Sequence, residues 1–330
     1  MDKEPLFELR RTVFDTPHFR GIEFIEVEAK TIINKVPGNF LPFTHTINPY
    51  RGCSHACSFC FARKTHTYMD MNAGNDWSTK IVAKVNAPEL LRHELRARKW
   101  KGDHIAMGTA TDPYQRGEGR YGLMSGIIRA LTDYRNPFSI LTRGTLILRD
   151  LGLLREAASV TKVSTAFSIP TLDEDVWRRS EPGTPHPRKR IEAVRKLNDA
   201  GIGCGVMVAP ILPGISDHPH QLMDVVSAAI DAGATHVSPI LLHLRPVVRE
   251  EYMGWLQRSY PGLVTRYEEM YGENAYGPKE DRKALGRRIG GLVRAAGGLR
   301  PSVDVDERFG HRNPTEDPPE TFRKKQLQLL

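Results

Sequence analysis

Apolar and polar positions fall in alternating blocks along this chain. Short apolar runs at residues 104–108, 138–142, 162–168, 202–209 and 236–242 read as strands, and residues 80–85 alternate as a further one. Between them, residues 88–99, 121–134, 146–158, 185–200 and 217–232 carry the wider spacing of amphipathic helices. Pro88 suits a first helical turn, and Gly201 suits the residue just past a last one. Strands alternating with helices of this length predict βαβ units on a parallel sheet. With a short strand at residues 44–47, the regular alternation gives about six units, fewer than the eight of a full barrel. The expected fold class is therefore α/β, a partial (β/α)6 TIM-like barrel with a helical C-terminal extension.

Four regions follow from the same pattern. Residues 1–43 are mixed and charged, broken by Pro37-Gly38 and Pro42, and are expected to be a loosely packed lead-in. Residues 44–244 hold the barrel. Residues 245–300 lose the strands and read as helices over 247–260, 263–271 and 278–296. Residues 301–330, rich in proline and charge, are expected to be a disordered tail. The last helix carries Arg282, Lys283, Arg287, Arg288 and Arg294. Such a basic amphipathic helix can lie on nucleic acid or an acidic membrane, but more often it is a solvated face above a packed one.

Composition narrows the class. With 330 residues, 40% hydrophobic and 26% charged, the chain can bury a full core. The net charge of +8 permits a polyanionic partner and is also compatible with ordinary solubility. No apolar run is long enough to span a membrane, and Met1-Asp-Lys-Glu-Pro lacks the apolar region of a secretory signal, which predicts a cytoplasmic protein with no membrane partner. The 4 cysteines do not make a disulfide framework for a chain of this size.

Three of those cysteines lie in Asn48-Pro-Tyr-Arg-Gly-Cys53-Ser-His-Ala-Cys57-Ser-Phe-Cys60-Phe-Ala-Arg63, spaced C-x3-C-x2-C. A structural zinc site wants four ligands, so three cysteines with His55, or all four cysteines including Cys204, leave zinc open. A fourth thiol at short spacing, as an electron-transfer cluster needs, is missing. Three thiolates on one loop suit a four-iron cluster with one iron left open, walled by Phe59 and Phe61. The spacing, with an aromatic before the third cysteine, favours that cluster with Cys53, Cys57 and Cys60 as ligands.

This loop, placed after the first barrel strand, resembles that of the radical S-adenosylmethionine (SAM) enzymes. Asn48 to Cys53, together with Gly108-Thr-Ala-Thr-Asp-Pro-Tyr-Gln115, is similar to the branch related to spore photoproduct lyase; the likeness covers roughly residues 44–244. The resemblance implies a [4Fe-4S] cluster that reduces bound SAM, giving methionine and a 5′-deoxyadenosyl radical that removes a hydrogen atom from substrate. It also implies an electron donor such as flavodoxin or ferredoxin. The cofactor carries the hard chemistry and the protein orients it.

On this resemblance Asp112, with Thr109 and Thr111 at the same strand end, faces the methionine amine. Arg143, where relatives often have lysine, suits the methionine carboxylate. Ser168 is assigned to the ribose hydroxyls, and Ala209, within Val206-Met-Val-Ala-Pro210, to the adenine. Phe59 joins them as part of the wall. Glu181 and Arg190 could touch the cofactor or each other, and Cys204 reads as a small buried hydrophobe. His45, His66 and His243 read as satisfied polar residues.

The chain also departs from that branch. Thr109 stands where the photoproduct lyases carry a hydrogen-donating cysteine, and Phe59 and Phe61 stand at tyrosine positions. A threonine O–H bond is too strong to donate a hydrogen atom as a thiol does, so photoproduct repair is not expected. The alternatives carried forward are a DNA-repair lyase of that branch and a zinc-stapled nucleic-acid-binding protein without catalysis. The basic stretch at residues 92–101 and the helix around Arg288 would serve either. No second cysteine cluster marks an auxiliary iron–sulfur site.

Overall fold

The computed structural model describes residues 10–14, 19–38 and 41–299. The barrel half of the chain is built as the alternation predicts. Strands β1 (Arg10–Val13), β2 (Glu23–Val27), β3 (Ile33–Lys35), β4 (His45–Ile47) and β5 (Tyr50–Arg51) precede α1 (Asp76–Thr79), β6 (Lys80–Lys84) and α2 (Ala87–Arg96). Then come β7 (Ile105–Met107), α3 (Glu118–Tyr121), α4 (Leu123–Asp133), β8 (Phe138–Thr142), α5 (Leu151–Val160) and β9 (Val163–Ser168). The chain continues through α6 (Glu174–Ser180), α7 (Pro187–Asp199), β10 (Cys204–Ile211), α8 (Pro219–Asp231) and β11 (Val237–Leu241). Helices α9 (Pro246–Ser259), α10 (Val264–Tyr271) and α11 (Lys279–Ala295) complete it.

Seven strands form the main sheet in the order β11-β10-β9-β8-β7-β4-β3. The six from β4 to β11 in this sheet run parallel, and β3 adds an antiparallel edge against β4. This is the expected open (β/α)6 sheet, a partial barrel. The central strands are buried because helices cover them: Ile105, Phe138, Phe167, Val206 and Val208 are all inaccessible. Helix α4 shows how. Leu123, Met124, Ile127, Ile128 and Leu131 recur at helical spacing and are all buried. Helix α7 starts at Pro187 and gives way to Gly201, whose φ of 78° is the left-handed conformation expected there.

Residues 10–35 depart from the expected loose lead-in. They supply β1 and β2 to a second sheet, ordered β1-β2-β6-β5, and β3 to the main one. Strand β2 pairs in parallel with β6, and β5, cut from the Asn48–Cys53 motif, pairs antiparallel with the other edge of β6. The small sheet therefore backs the cysteine loop. The expected disordered tail at residues 301–330 lies outside the described residues.

The C-terminal helices do two jobs. Helix α11 packs on β11 and α8, burying Leu285 and Ile289, while Arg287 and Arg288 stay exposed. The packed-face reading of this helix is the one observed. Helices α9 and α10 build a second core in which Tyr252, Leu256, Tyr267 and Tyr271 meet Phe59 and Cys57. The extension thus closes over one side of the cysteine loop. Among the described residues no helix is long and apolar enough to cross a membrane.

Candidate active site

The cysteine loop lies at the C-terminal rim of the parallel sheet, where barrel active sites are built. Gly52 starts it, with φ of 81°. A Cβ there would come within 2.8 Å of the Lys80 carbonyl and 2.9 Å of the His66 ring, so only glycine fits. Its carbonyl accepts from Thr111 Oγ1 at 2.6 Å and from Gln115 Nε2 at 3.0 Å. Gln115 Oε1 in turn accepts from the Ser54 amide at 2.9 Å. The Thr-Ala-Thr-Asp-Pro-Tyr-Gln segment after β7 therefore grips the loop's first turn. Farther along, the Arg63 guanidinium donates to the carbonyls of Cys57, Ala73 and Gly74.

Cys53 and Cys57 are buried and Cys60 is half-buried, all as free thiols. Burial pushes the Cys57 thiol up to about 12, opposed by the nearby Arg143 guanidinium, and raises Cys53 and Cys60 in the same way. Such thiols become thiolates only against a bound cationic centre. Among the described residues, no three His, Cys, Asp or Glu side chains converge closely enough to share one metal ion.

Asp112 is nearly saturated. Its Oδ1 accepts from the Tyr114 amide at 2.9 Å and from Thr142 Oγ1 at 2.6 Å, and its Oδ2 accepts from the Arg143 amide at 2.6 Å. His55 Nδ1, from inside the cysteine loop, lies 3.3 Å from Oδ2. Burial would raise this carboxyl, but His55 and the hydrogen bonds from Thr142 and Arg143 outweigh it and hold it below its ordinary value. Thr109, in the same segment, exchanges hydrogen bonds with the Asn48 side chain, which also accepts from the Ala110 amide.

Arg143, just past β8, ties three other segments together. Its Nε donates to Glu181 Oε1 at 2.6 Å, its Nη2 donates to the Ala209 carbonyl at 3.0 Å, and its guanidinium sits 5.5 Å from the centre of the Phe59 ring. Arg190 holds the other side of Glu181 at 2.9 Å and donates to the Ser168 carbonyl at 2.9 Å. Glu181 and Arg190 are wholly buried. A buried Arg–Glu–Arg triad carries one net positive charge beside the cysteine loop. Burial works against the Glu181 carboxylate, yet the two guanidiniums keep it ionised below its usual range.

The segment bearing Glu181 lies directly on the loop. The Ser58 amide donates to the Ser180 carbonyl at 2.9 Å, and the Gly183 amide to the His55 carbonyl at 3.0 Å. A Cβ on Gly183 would stand 2.2 Å from the Ser54 carbonyl oxygen. The Glu181–Arg190 contact is one of the two alternatives the sequence offered for this pair; the docking on the loop and the place of Arg143 in the triad were not read from it. One signal was present: Arg190 shares helical spacing with the buried Ala193, Val194 and Leu197, which places it on the inner face of α7.

Phe59, Thr111, Asp112 and Arg143, singled out from the sequence, meet at this rim, whereas Cys204 opens β10 at the far end of the sheet. Thr111 supports the loop, Asp112 and Arg143 stand beside it, and Phe59 belongs to it; Ser168, the last residue of β9, and Ala209, near the end of β10, offer carbonyls bound by Arg190 and Arg143. Both charged groups expected to face a ligand are also engaged within the protein. Arg143 Nη1 alone of that guanidinium makes no hydrogen bond among the described residues.

Known proteins share this architecture. The fold is similar to that of spore photoproduct lyase in a cysteine-substituted mutant with bound AdoMet and dinucleoside spore photoproduct, at a TM-score of 0.61 and 16% identity over 87% of this chain and 84% of that one. A second structure, of spore photoproduct lyase complexed with dinucleoside spore photoproduct, gives 0.62 at 16% identity, covering 86% and 83%. In sequence, the chain is 48% identical over 295 residues to the uncharacterized protein Rv2578c of Mycobacterium tuberculosis, covering 88% of this chain and 87% of that protein. The uncharacterized protein MJ0683 of Methanocaldococcus jannaschii is 32% identical over 201 residues, 59% of this chain and 70% of that one. Residues 47–226, more than half of the chain and including the three clustered cysteines, match the radical SAM superfamily. This protein belongs to that superfamily and is a radical SAM enzyme.

Proposed function

We propose that the chain holds a [4Fe-4S] cluster through Cys53, Cys57 and Cys60 and uses it to cleave SAM reductively, for hydrogen abstraction from a substrate. The observation that carries this reading is the gripping of one three-thiol loop from both sides by residues of the same sheet rim. The donor set fits the group. Three thiols on one loop can each reach a different iron, whereas zinc would require four ligands converging within about 2.3 Å of a single ion. The triad's net positive charge offsets the negative charge of thiolates beside it. When bound, the cluster and SAM supply an electron and a 5′-deoxyadenosyl radical able to take a hydrogen atom from substrate.

The chain's own residues then bind and orient. Arg143 Nη1 is the group offered to a carboxylate, in a guanidinium already fixed by Glu181, Ala209 and Phe59. Asp112, held in place by its hydrogen bonds, is the carboxylate read here for the ammonium. Ser168 and Ala209 face the ribose and the adenine. Phe59, buried against the tyrosines of α9 and α10, excludes water from one side. The electron comes from a reduced carrier protein of the flavodoxin or ferredoxin kind. Photoproduct repair is not part of the proposal, because Thr109 offers a hydroxyl bonded to Asn48 where that reaction needs a thiol.

Anaerobic reconstitution tests the reading directly. The purified protein should bind iron and sulfide in equal amounts, and Cys57→Ala should lose both. Retention of stoichiometric zinc with neither iron nor sulfide would favour the non-catalytic alternative.

A further inference from the structure

Phe61 follows the third clustered cysteine, and its ring is 47% exposed, unlike the buried Phe59. It is not isolated. The His243 ring, just past β11, lies 5.7 Å from it, and Tyr276 stacks on His243 at 5.5 Å and 20°. Backbone pairing between His243 and Tyr276 and a 2.6 Å bond from the Leu244 amide to the Ala275 carbonyl lock the two segments together. Arg282 of α11 covers Tyr276 at 5.5 Å, and Arg245 donates to the Tyr276 hydroxyl at 3.1 Å.

Neither guanidinium has a carboxylate partner among the described residues, and Arg282 Nε is buried without any hydrogen-bond partner. Burial, reinforced by Arg245 and Arg282, pushes the His243 imidazole down to about 4, so at neutral pH it is an uncharged ring. Two cations with no ion-pair partner among the described residues therefore flank a cluster of three rings, of which Phe61 opens to solvent beside the proposed radical site and His243 and Tyr276 are half-buried. The exposed Arg287 and Arg288 continue the positive charge along α11.

Resting on the radical SAM reading above, we propose that Phe61, His243 and Tyr276, with Arg245 and Arg282, form a binding platform for a nucleotide unit. The base stacks on Phe61 and its phosphate is taken by the guanidiniums. An exposed aromatic face supplies stacking that tolerates any base, and unpaired guanidiniums supply the phosphate affinity. The nucleotide can come from a single strand or from a free mononucleotide, and the test separates the two.

The probe is a fluorescein-labelled single-stranded dT oligonucleotide, followed by anisotropy on the reconstituted protein, with unlabelled dTMP as competitor. Phe61→Ala should weaken binding roughly five- to hundredfold, the loss of one stacked base, while Phe61→Trp should retain it. Arg245→Gln with Arg282→Gln should weaken binding and lower the salt slope by about 2. Displacement of the probe by dTMP at micromolar concentration assigns the platform to free nucleotides; failure to compete assigns it to a strand. No binding by the wild type of either probe, or binding that is indifferent to both sets of variants, overturns the proposal. Release of 5′-deoxyadenosine without any strand tests the cofactor reading separately, so either idea can fail alone.

Discussion

The two flanks of the cysteine loop are built on opposite principles. On the flank facing residues 180–184, every charge is spoken for: Glu181 lies between Arg143 and Arg190, and Gly183 lets two backbones touch. On the flank facing α11, Arg245 and Arg282 have no carboxylate partner among the described residues, and Phe61 is exposed to solvent. A buried charge without partners is costly, so paired charges inside the first flank hold the loop in position. Unpaired cations at the second are tolerable only where solvent or a ligand can reach them. The contrast separates positioning from binding.

Removing the centre of the closed flank should have the largest effect. Glu181→Ala leaves two guanidiniums without their anion and should destabilise the protein by about 3 to 5 kcal/mol, read by urea unfolding under anaerobic conditions. A loss below about 1 kcal/mol would mean that the triad is not a structural keystone. Gly183→Ala comes next: its methyl would meet the Ser54 carbonyl oxygen, and forcing the segments apart should cost about 2 to 3 kcal/mol and impair iron retention.

The open flank predicts a pH signature. His243 is held neutral, from an ordinary value of 6.5 down to about 4. Between those values the unfolded chain binds more protons than the folded one. Stability is therefore full above pH 6.5 and falls as pH drops toward 4, by about 3 kcal/mol. His243→Phe should flatten that part of the curve in metal-free protein; an unchanged slope would place the titrating group elsewhere. The smallest effect belongs to α6, which leads into the docking segment. Asp173 accepts from the amides of Asp175 and Val176, and Asp173→Ala should cost about 1 kcal/mol, visible as a small shift of the unfolding midpoint.

The barrel was legible because its strands are continuous apolar runs ended by polar residues, and its helices carry their own stop signals. Gly201 is one such signal. The small sheet and the β3 edge of the main one were not legible, since β1 to β3 are short and carry Arg, Glu and Lys. Phe24 and Ile25 find their core only by pairing β2 with β6, a contact far along the chain. The cysteines and the strand-end residues could be read from spacing and type. The closed flank could be read only in part: a contact between Glu181 and Arg190 was one alternative, but nothing local says that Arg143, remote in sequence, joins them. Phe61 and His243 escaped for the same reason, because their stack joins a loop near the start of the barrel to the end of its last strand.

The central claim is that the three-thiol loop supports reductive cleavage of SAM. Anaerobically reconstituted protein, given SAM and dithionite, should release 5′-deoxyadenosine, quantified by liquid chromatography, and Cys57→Ala should release none. A fully iron-loaded wild type that yields no 5′-deoxyadenosine, or a Cys57→Ala protein that yields as much as the wild type, would contradict the account.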